Sequence, residues 1–350
     1  MIHSESRKRK KGYLTGNSRR ENDGTSDRLE RSNTDMVKID LITGFLGSGK
    51  TTFIRKYASY LMSQGQNIGI LENDYGAINV DMMLLSDLRG DNCELEMVSG
   101  GCDRDCHRRR FKTKLISMGM CGYDRVLIEP SGIFDMDEFF DTLHEEPLDR
   151  WYEIGNVITI VDAKLDPNLS KQADYVLASE AANAGLIVLS RSQEASPEEI
   201  RQTITHLNHA LAQVKCKREI DASHILSTDW NSFTEEDFTR ISSCGYDPAS
   251  YVKQDVDDNG GFDSLFFMNR HLTETQLREA VKEIMDSPAC GSVFRIKGFQ
   301  KLEDGTWIEL NATRQTTEIH PIREGQEVLI VIGEGLVKEE IEKRIGGEEQ

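Results

Sequence analysis

Residues 37–52 read Val-Lys-Ile-Asp-Leu-Ile-Thr-Gly-Phe-Leu-Gly-Ser-Gly-Lys-Thr-Thr. A short apolar run meets three closely spaced glycines and a Lys-Thr pair, and Phe53, Ile54, Tyr57 and Leu61 then recur with helical spacing. Few backbones accommodate that order: a buried strand, a tight glycine turn and the first turn of a helix. It is the phosphate-binding loop G-x-x-x-x-G-K-T. Gly44, Gly47, Ser48 and Gly49 let backbone N–H groups close around phosphate oxygens, and Lys50 reaches the β and γ oxygens. The Thr51 hydroxyl belongs on Mg²⁺, and Thr52 lies in the helical turn whose positive end faces the same anion. The sequence therefore predicts binding of a nucleoside triphosphate.

A strand of this kind needs neighbours, and the chain supplies them. Apolar runs at 38–42, 68–71, 125–129, 157–161, 186–189 and 224–226 alternate with helical stretches, the pattern of a doubly wound, mostly parallel α/β sheet. Ligands of such sheets lie beyond the carboxyl ends of the strands, where Asp74, Glu129, Asp162 and Ser190 fall. A chain of 350 residues has room for two cores. The expected organisation is a polar tail over 1–35, a P-loop nucleotide-binding domain over 36–229, a connector with one helix over 230–261, and a smaller α/β domain over 262–347. In the last, strands are expected at 262–269, 292–299, 307–311, 315–321 and 327–333, with helices at 273–285 and 336–345.

The tail is rich in Arg, Lys, Ser and Asn and has too few apolar residues to bury a core, so disorder is expected there; alternatively, Met36 is the start. A net charge of −18 argues against nucleic acid as a partner, because phosphates would be repelled. No run of apolar residues reaches the length of a membrane span and no secretory signal is visible, so a cytoplasmic protein with no membrane partner is expected. Seven cysteines in such a setting do not suggest a disulfide framework.

Two further segments carry chemistry. Glu129-Pro-Ser-Gly132 places a carboxylate at a strand end before a small turn. Glu129 is expected to hold Mg²⁺ through water or to orient the attacking water, and the Gly132 N–H to contact the γ-phosphate. Asn73-Asp74-Tyr75-Gly76 adds a second carboxylate at a strand end. Between them, Ser99-Gly-Gly-Cys-Asp-Arg-Asp-Cys-His107 sets Cys102 and Cys106 on one helical face with His107 beside them. Two thiolates and an imidazole suit Zn²⁺ or another transition metal rather than Mg²⁺ or Ca²⁺. On spacing alone two helical cysteines also fit a core, but a polar, glycine-led loop is a poor place for core packing.

Gly44–Thr52, the NDYG segment, the Gly-Cys loop, EPSG, Thr159-Ile-Val-Asp-Ala163 and Phe294-Arg-Ile-Lys-Gly-Phe299 stand in the order that resembles the CobW-like metal-chaperone GTPases, relatives of the urease and hydrogenase nickel-insertion GTPases. The resemblance runs from Met36 to the C-terminus. It implies a P-loop GTPase domain, a C-terminal α/β domain, and nucleotide-dependent delivery of zinc or cobalt to a client metalloprotein or cofactor pathway. Two departures stand out. The family's C-x-C-C becomes Cys102-Asp-Arg-Asp-Cys106, and its guanine-reading N-K-x-D becomes Ser190-Arg191-Ser192-Gln193. Asp162, Ser190, Arg191 and Gln193 are the expected base and nucleotide contacts. A neutral Gln193 cannot accept two hydrogen bonds from guanine as an aspartate does, which relaxes GTP over ATP preference.

The function expected is slow GTP hydrolysis, with Lys50 and Glu129 as catalytic groups, coupled to metal binding at Cys102, Cys106 and His107. A nucleotide-dependent regulatory or scaffold protein without metal transfer is the alternative, and a small-molecule kinase with a lid at Arg108–Arg110 a third.

Overall fold

The strand Val37–Thr43 (β1) leaves only Lys38 exposed, as a strand covered on both faces must. In the computed structural model, which describes residues 36–74, 80–99, 104–130, 136–253, 262–314 and 316–346, it lies at the middle of a seven-stranded parallel sheet. The expected tail over 1–35 is outside the described residues.

The elements alternate as the hydrophobic pattern requires. After β1 come α1 (Lys50–Ser63), β2 (Ile68–Asp74), α2 (Val80–Leu85), β3 (Cys93–Ser99), α3 (Arg104–Gly119), β4 (Arg125–Pro130), α4 (Met136–Leu143), β5 (Tyr152–Asp162), α5 (Lys171–Ala182), β6 (Leu186–Ser190), α6 (Pro197–Gln213), β7 (Ile225–Leu226) and α7 (Glu235–Ser242). The strand order is β3-β2-β4-β1-β5-β6-β7. One face of the sheet is covered by α1, whose Phe53, Ile54, Tyr57 and Leu61 are fully buried. The other carries Phe111, Leu115 and Met118 of α3 and Phe139 of α4. Several helix starts are written locally: Ser170 caps α5, and Ser196 with Glu199 forms a capping box on α6 behind Pro197.

Charge is also built into this core. Asp40 of β1 is fully buried and pairs with Arg125 of β4; Tyr57 Oη donates to it at 2.7 Å and Asn156 Nδ2 at 2.8 Å. Burial pushes the Asp40 carboxyl upward, and Arg125 opposes that shift. The sequence reading contains no strand at 93–99. Its burial alternates because it is the sheet edge, paired with β2 alone, so it lacks the unbroken apolar run of its neighbours. The described part of the expected connector packs on the first core: Trp230, Phe233 and Phe238 lie against the α1 side of the sheet.

The C-terminal region builds β8 (Asp263–Met268), α8 (Glu274–Asp286), β9 (Ser292–Lys301), β10 (Trp307–Thr313), β11 (Thr317–Ile322), β12 (Val328–Glu334) and α9 (Lys338–Arg344). Its five strands run β11-β10-β9-β12-β8 and every pairing is antiparallel; β9, β10 and β11 follow one another as a meander, while β8 and β9, joined by α8, flank β12 and so run in the same direction, a split βαβ unit. Helices α8 and α9 fill one face. The other face, through Phe299, Val328, Ile330 and Ile332, rests on Leu46 of the glycine loop and on Met83 and Leu84 of α2. Ser170 donates to Glu334 Oε1 at 2.6 Å across the same junction. Among the described residues no helix is long and apolar enough to cross a membrane.

Candidate nucleotide site

The glycine loop joins β1 to α1 through backbone that side chains resist. Gly44, Gly47 and Gly49 have φ of 143°, 80° and 101°. A Cβ on Gly44 would lie 2.3 Å from the Ile160 carbonyl oxygen, so this position admits only glycine. Helix α1 starts at Gly49 with no side-chain cap. Its first N–H groups are thereby left to an anion, in contrast to the Ser- and Thr-capped helices elsewhere.

Lys50, Thr51 and Glu129 converge at this turn. Lys50 is 7% exposed, donates to the Gly44 carbonyl at 2.8 Å and lies 3.9 Å from Glu129 Oε1. Thr51 Oγ1 donates to Glu129 Oε2 at 3.1 Å. A hydroxyl and a carboxylate this close form a hard-oxygen donor pair of the kind Mg²⁺ takes alongside water and phosphate. The buried Ser48 hydroxyl has no hydrogen-bond partner among the described residues, a donor suited to a phosphate oxygen. Thr52 is exposed on the first turn of α1.

Asp162 and Arg191 form the wall beside the loop. Arg191 Nε donates to Asp162 Oδ2 at 3.0 Å, and its Nη2 both pairs with the same carboxylate and reaches the Gly47 carbonyl at 3.2 Å. Arg191 adopts a left-handed φ of 53°, a conformation a non-glycine residue holds only when its surroundings impose it. Ser190 is buried at the end of β6, and Gln193 is exposed in the turn Ser192–Glu194. Trp230, absent from the sequence reading, completes the wall. Its indole N–H donates to the Leu189 carbonyl at 2.9 Å, its ring meets Phe53 edge-on at 5.6 Å, and a Cβ on Gly49 would lie 3.3 Å from it. The available signal was an aromatic just past β7, at the same end of the sheet as the other site residues.

The expected metal donors divide. Cys102 and Gly132 lie outside the described residues, as does the side chain of Asp74, whose backbone closes β2. Cys106 is half-buried on α3 and in no disulfide. His107 is 3% exposed and turned inward, its Nε2 2.7 Å from Asn73 Oδ1. One of its two ring nitrogens is thereby engaged at the end of β2. Among the described residues no group of three or more His, Cys, Asp or Glu side chains is placed to hold a metal.

A family model described as CobW/HypB/UreG, nucleotide-binding domain, matches residues 38–220. The zinc chaperone YeiR of Escherichia coli (strain K12) is 29% identical over 164 residues, 47% of this chain and 49% of that protein. The zinc-regulated GTPase metalloprotein activator 1 of Schizosaccharomyces pombe is 22% identical over 334 residues, 84% of this chain and 79% of that protein. The chain spans about half the length of the curated relatives YeiR and YjiA that it matches. Among solved structures, the Zn(II)-bound YjiA GTPase from E. coli is similar over 91% of this chain and 100% of that one, at 19% identity and a TM-score of 0.33.

Proposed function

Because the chain belongs to the CobW/HypB/UreG family of nucleotide-binding proteins, whose model matches residues 38–220, we propose that it binds GTP with Mg²⁺, hydrolyses it slowly and uses that cycle to deliver zinc to a client metalloprotein. The observation that carries this reading is the convergence of Lys50, Thr51 and Glu129 on one glycine turn. Lys50 neutralises β- and γ-phosphate charge, exchanging the Gly44 carbonyl for the phosphates. Thr51 and Glu129 would hold Mg²⁺, which offsets charge on the leaving phosphate oxygens. Arg191 fixes the loop from the side by tying the Gly47 carbonyl to Asp162.

Zinc is the cargo in this reading, and its relatives' names support that choice of metal. Cys102 and Cys106 are its proposed thiolate donors. The His107–Asn73 contact supports a path to the nucleotide, because it fastens the helix bearing Cys106 to the strand end beside the phosphates. ATP is admitted as a weaker substrate, since Gln193 offers an amide where guanine recognition calls for a carboxylate.

The test is metal analysis and zinc titration of protein purified without a metal-binding tag, in its GDP and GTP-analogue states. One tight zinc per chain is expected, lost in Cys102→Ser with Cys106→Ser, with affinity that differs between the nucleotide states. By linkage zinc must shift nucleotide affinity by the same factor. Nucleotide binding without any thiolate-bound metal would leave the regulatory or scaffold reading in its place.

A further inference from the structure

Strand β3 is an edge of the parallel sheet, paired with β2 alone, and it ends three residues before Cys102. An edge strand turns every second residue's N–H and C=O outward. The Asn92 carbonyl accepts the Ile68 N–H of β2 at 3.0 Å, so the even-numbered residues face the sheet and the odd-numbered ones face out. Cys93, Leu95 and Ser99 already have outward partners. Cys93 exchanges both backbone bonds with Gly90, at 3.0 and 3.3 Å. The Leu95 carbonyl accepts Arg89 Nη2 at 3.2 Å, and the Ser99 carbonyl accepts Arg110 Nη1 at 2.9 Å. Met97 stands between them with its side chain 38% exposed, and among the described residues nothing bonds its outward backbone groups. Both arginines are exposed, and their anchor points lie about 13 Å apart along an extended strand. The strand's own acids do not neutralise them: Glu96 pairs with Lys114 at 2.8 Å and Glu94 accepts the Tyr123 hydroxyl.

We propose that this edge docks an extended acidic segment of a partner protein, which adds to β3 as a further strand. The central residue of the segment exchanges N–H and C=O bonds with Met97, and carboxylates two residues to either side meet Arg89 and Arg110. An apolar side chain suits the centre, where it lies across from that of Met97. The recognised pattern is therefore acidic-x-apolar-x-acidic. Charge selects this occupant, since the chain as a whole is acidic at −18 while this edge presents two guanidinium groups. A second copy of the chain fits less well. Two-fold pairing about Met97 sets Leu95 opposite Ser99 of the second copy, which brings Arg89 against Arg110. The docking surface does not depend on the nucleotide or zinc readings; where the zinc reading holds, it seats a client beside the segment that carries Cys102 and Cys106.

Fluorescence anisotropy of the full chain with a labelled peptide decides this, the peptide carrying Glu-Thr-Val-Thr-Glu between Gly-Ser flanks. Saturable binding is expected below about a millimolar. It should weaken by about tenfold or more when the peptide's valine is N-methylated, when both its glutamates become glutamine, and in Arg89→Glu with Arg110→Glu. The N-methylated and glutamine peptides need no variant of the protein, so a misfolded double variant leaves the test intact. Absence of saturable binding, or binding that survives N-methylation, overturns the proposal. Equal displacement of the peptide by a single-stranded RNA oligonucleotide overturns it as well, because the edge would then be a general polyanion surface. So does a dimer in sedimentation that the peptide dissociates, which would assign the edge to a second copy. None of these failures touches the nucleotide reading, which uses no residue of β3.

Discussion

Lys50 is nearly buried and its ammonium is satisfied by a loop carbonyl and a carboxylate. Replacing it with alanine removes the cation that phosphate oxygens require while the turn itself is still held by its glycines and by Arg191. Lys50→Ala is expected to abolish hydrolysis and weaken triphosphate binding with an unchanged circular dichroism spectrum; hydrolysis at the wild-type rate would refute the role. Glu180, buried on α5 at 3% exposure, makes a second prediction, on stability. Burial raises its folded pKa to about 7, above the ordinary 4.5, so its contribution is fully present below 4.5 and is lost as pH rises to about 7. Thermal melts across that interval should show a decline in the wild type that Glu180→Gln flattens. The glycine turn with Lys50 and Thr51 was legible because its residues are contiguous. Trp230 was not, because it meets the loop from more than a hundred residues away.

At the scale of elements, the interior strands were legible from unbroken apolar runs. The edge strand β3 alternates and so did not stand out. The same apolar reading conceals the charge in β1: Asp40 occupies a core position and ties three strands and a helix together through Arg125, Asn156 and Tyr57. Gly155 belongs to this arrangement, since a Cβ there would lie 2.5 Å from Asp40 Oδ1. Breaking one side of a buried pair leaves the other charge uncompensated, which costs about 3–5 kcal/mol. Asp40→Asn is accordingly expected to lower stability by that amount in denaturant unfolding, with Arg125 as the stranded partner. A loss below about 1 kcal/mol would mean that water or another group reaches Arg125.

Across the whole molecule, the C-terminal sheet and the phosphate-binding loop share an interface, which sequence motifs alone do not reveal. The variable positions of the loop, Phe45 and Leu46, point away from the phosphate side into the junction. Phe45 meets Phe262 and Phe294 edge-on at 5.8 and 6.0 Å, and Leu46 packs against the apolar face of the C-terminal sheet. Even Gly47 is crowded from that side, with Thr313 Cγ2 3.1 Å from where its Cβ would be. Any adjustment of the loop around phosphates must therefore be felt by β9 and β10. Phe45→Ala removes both aromatic contacts without touching a phosphate ligand. For a half-buried ring, the expected loss is about 1–3 kcal/mol. It should fall on the junction: hydrogen exchange in β9 and β10 should respond to Mg–GTP analogue in the wild type and far less in the variant, with nucleotide affinity held within tenfold. An equal response in both proteins would show that the C-terminal domain senses nucleotide by a route other than this aromatic contact.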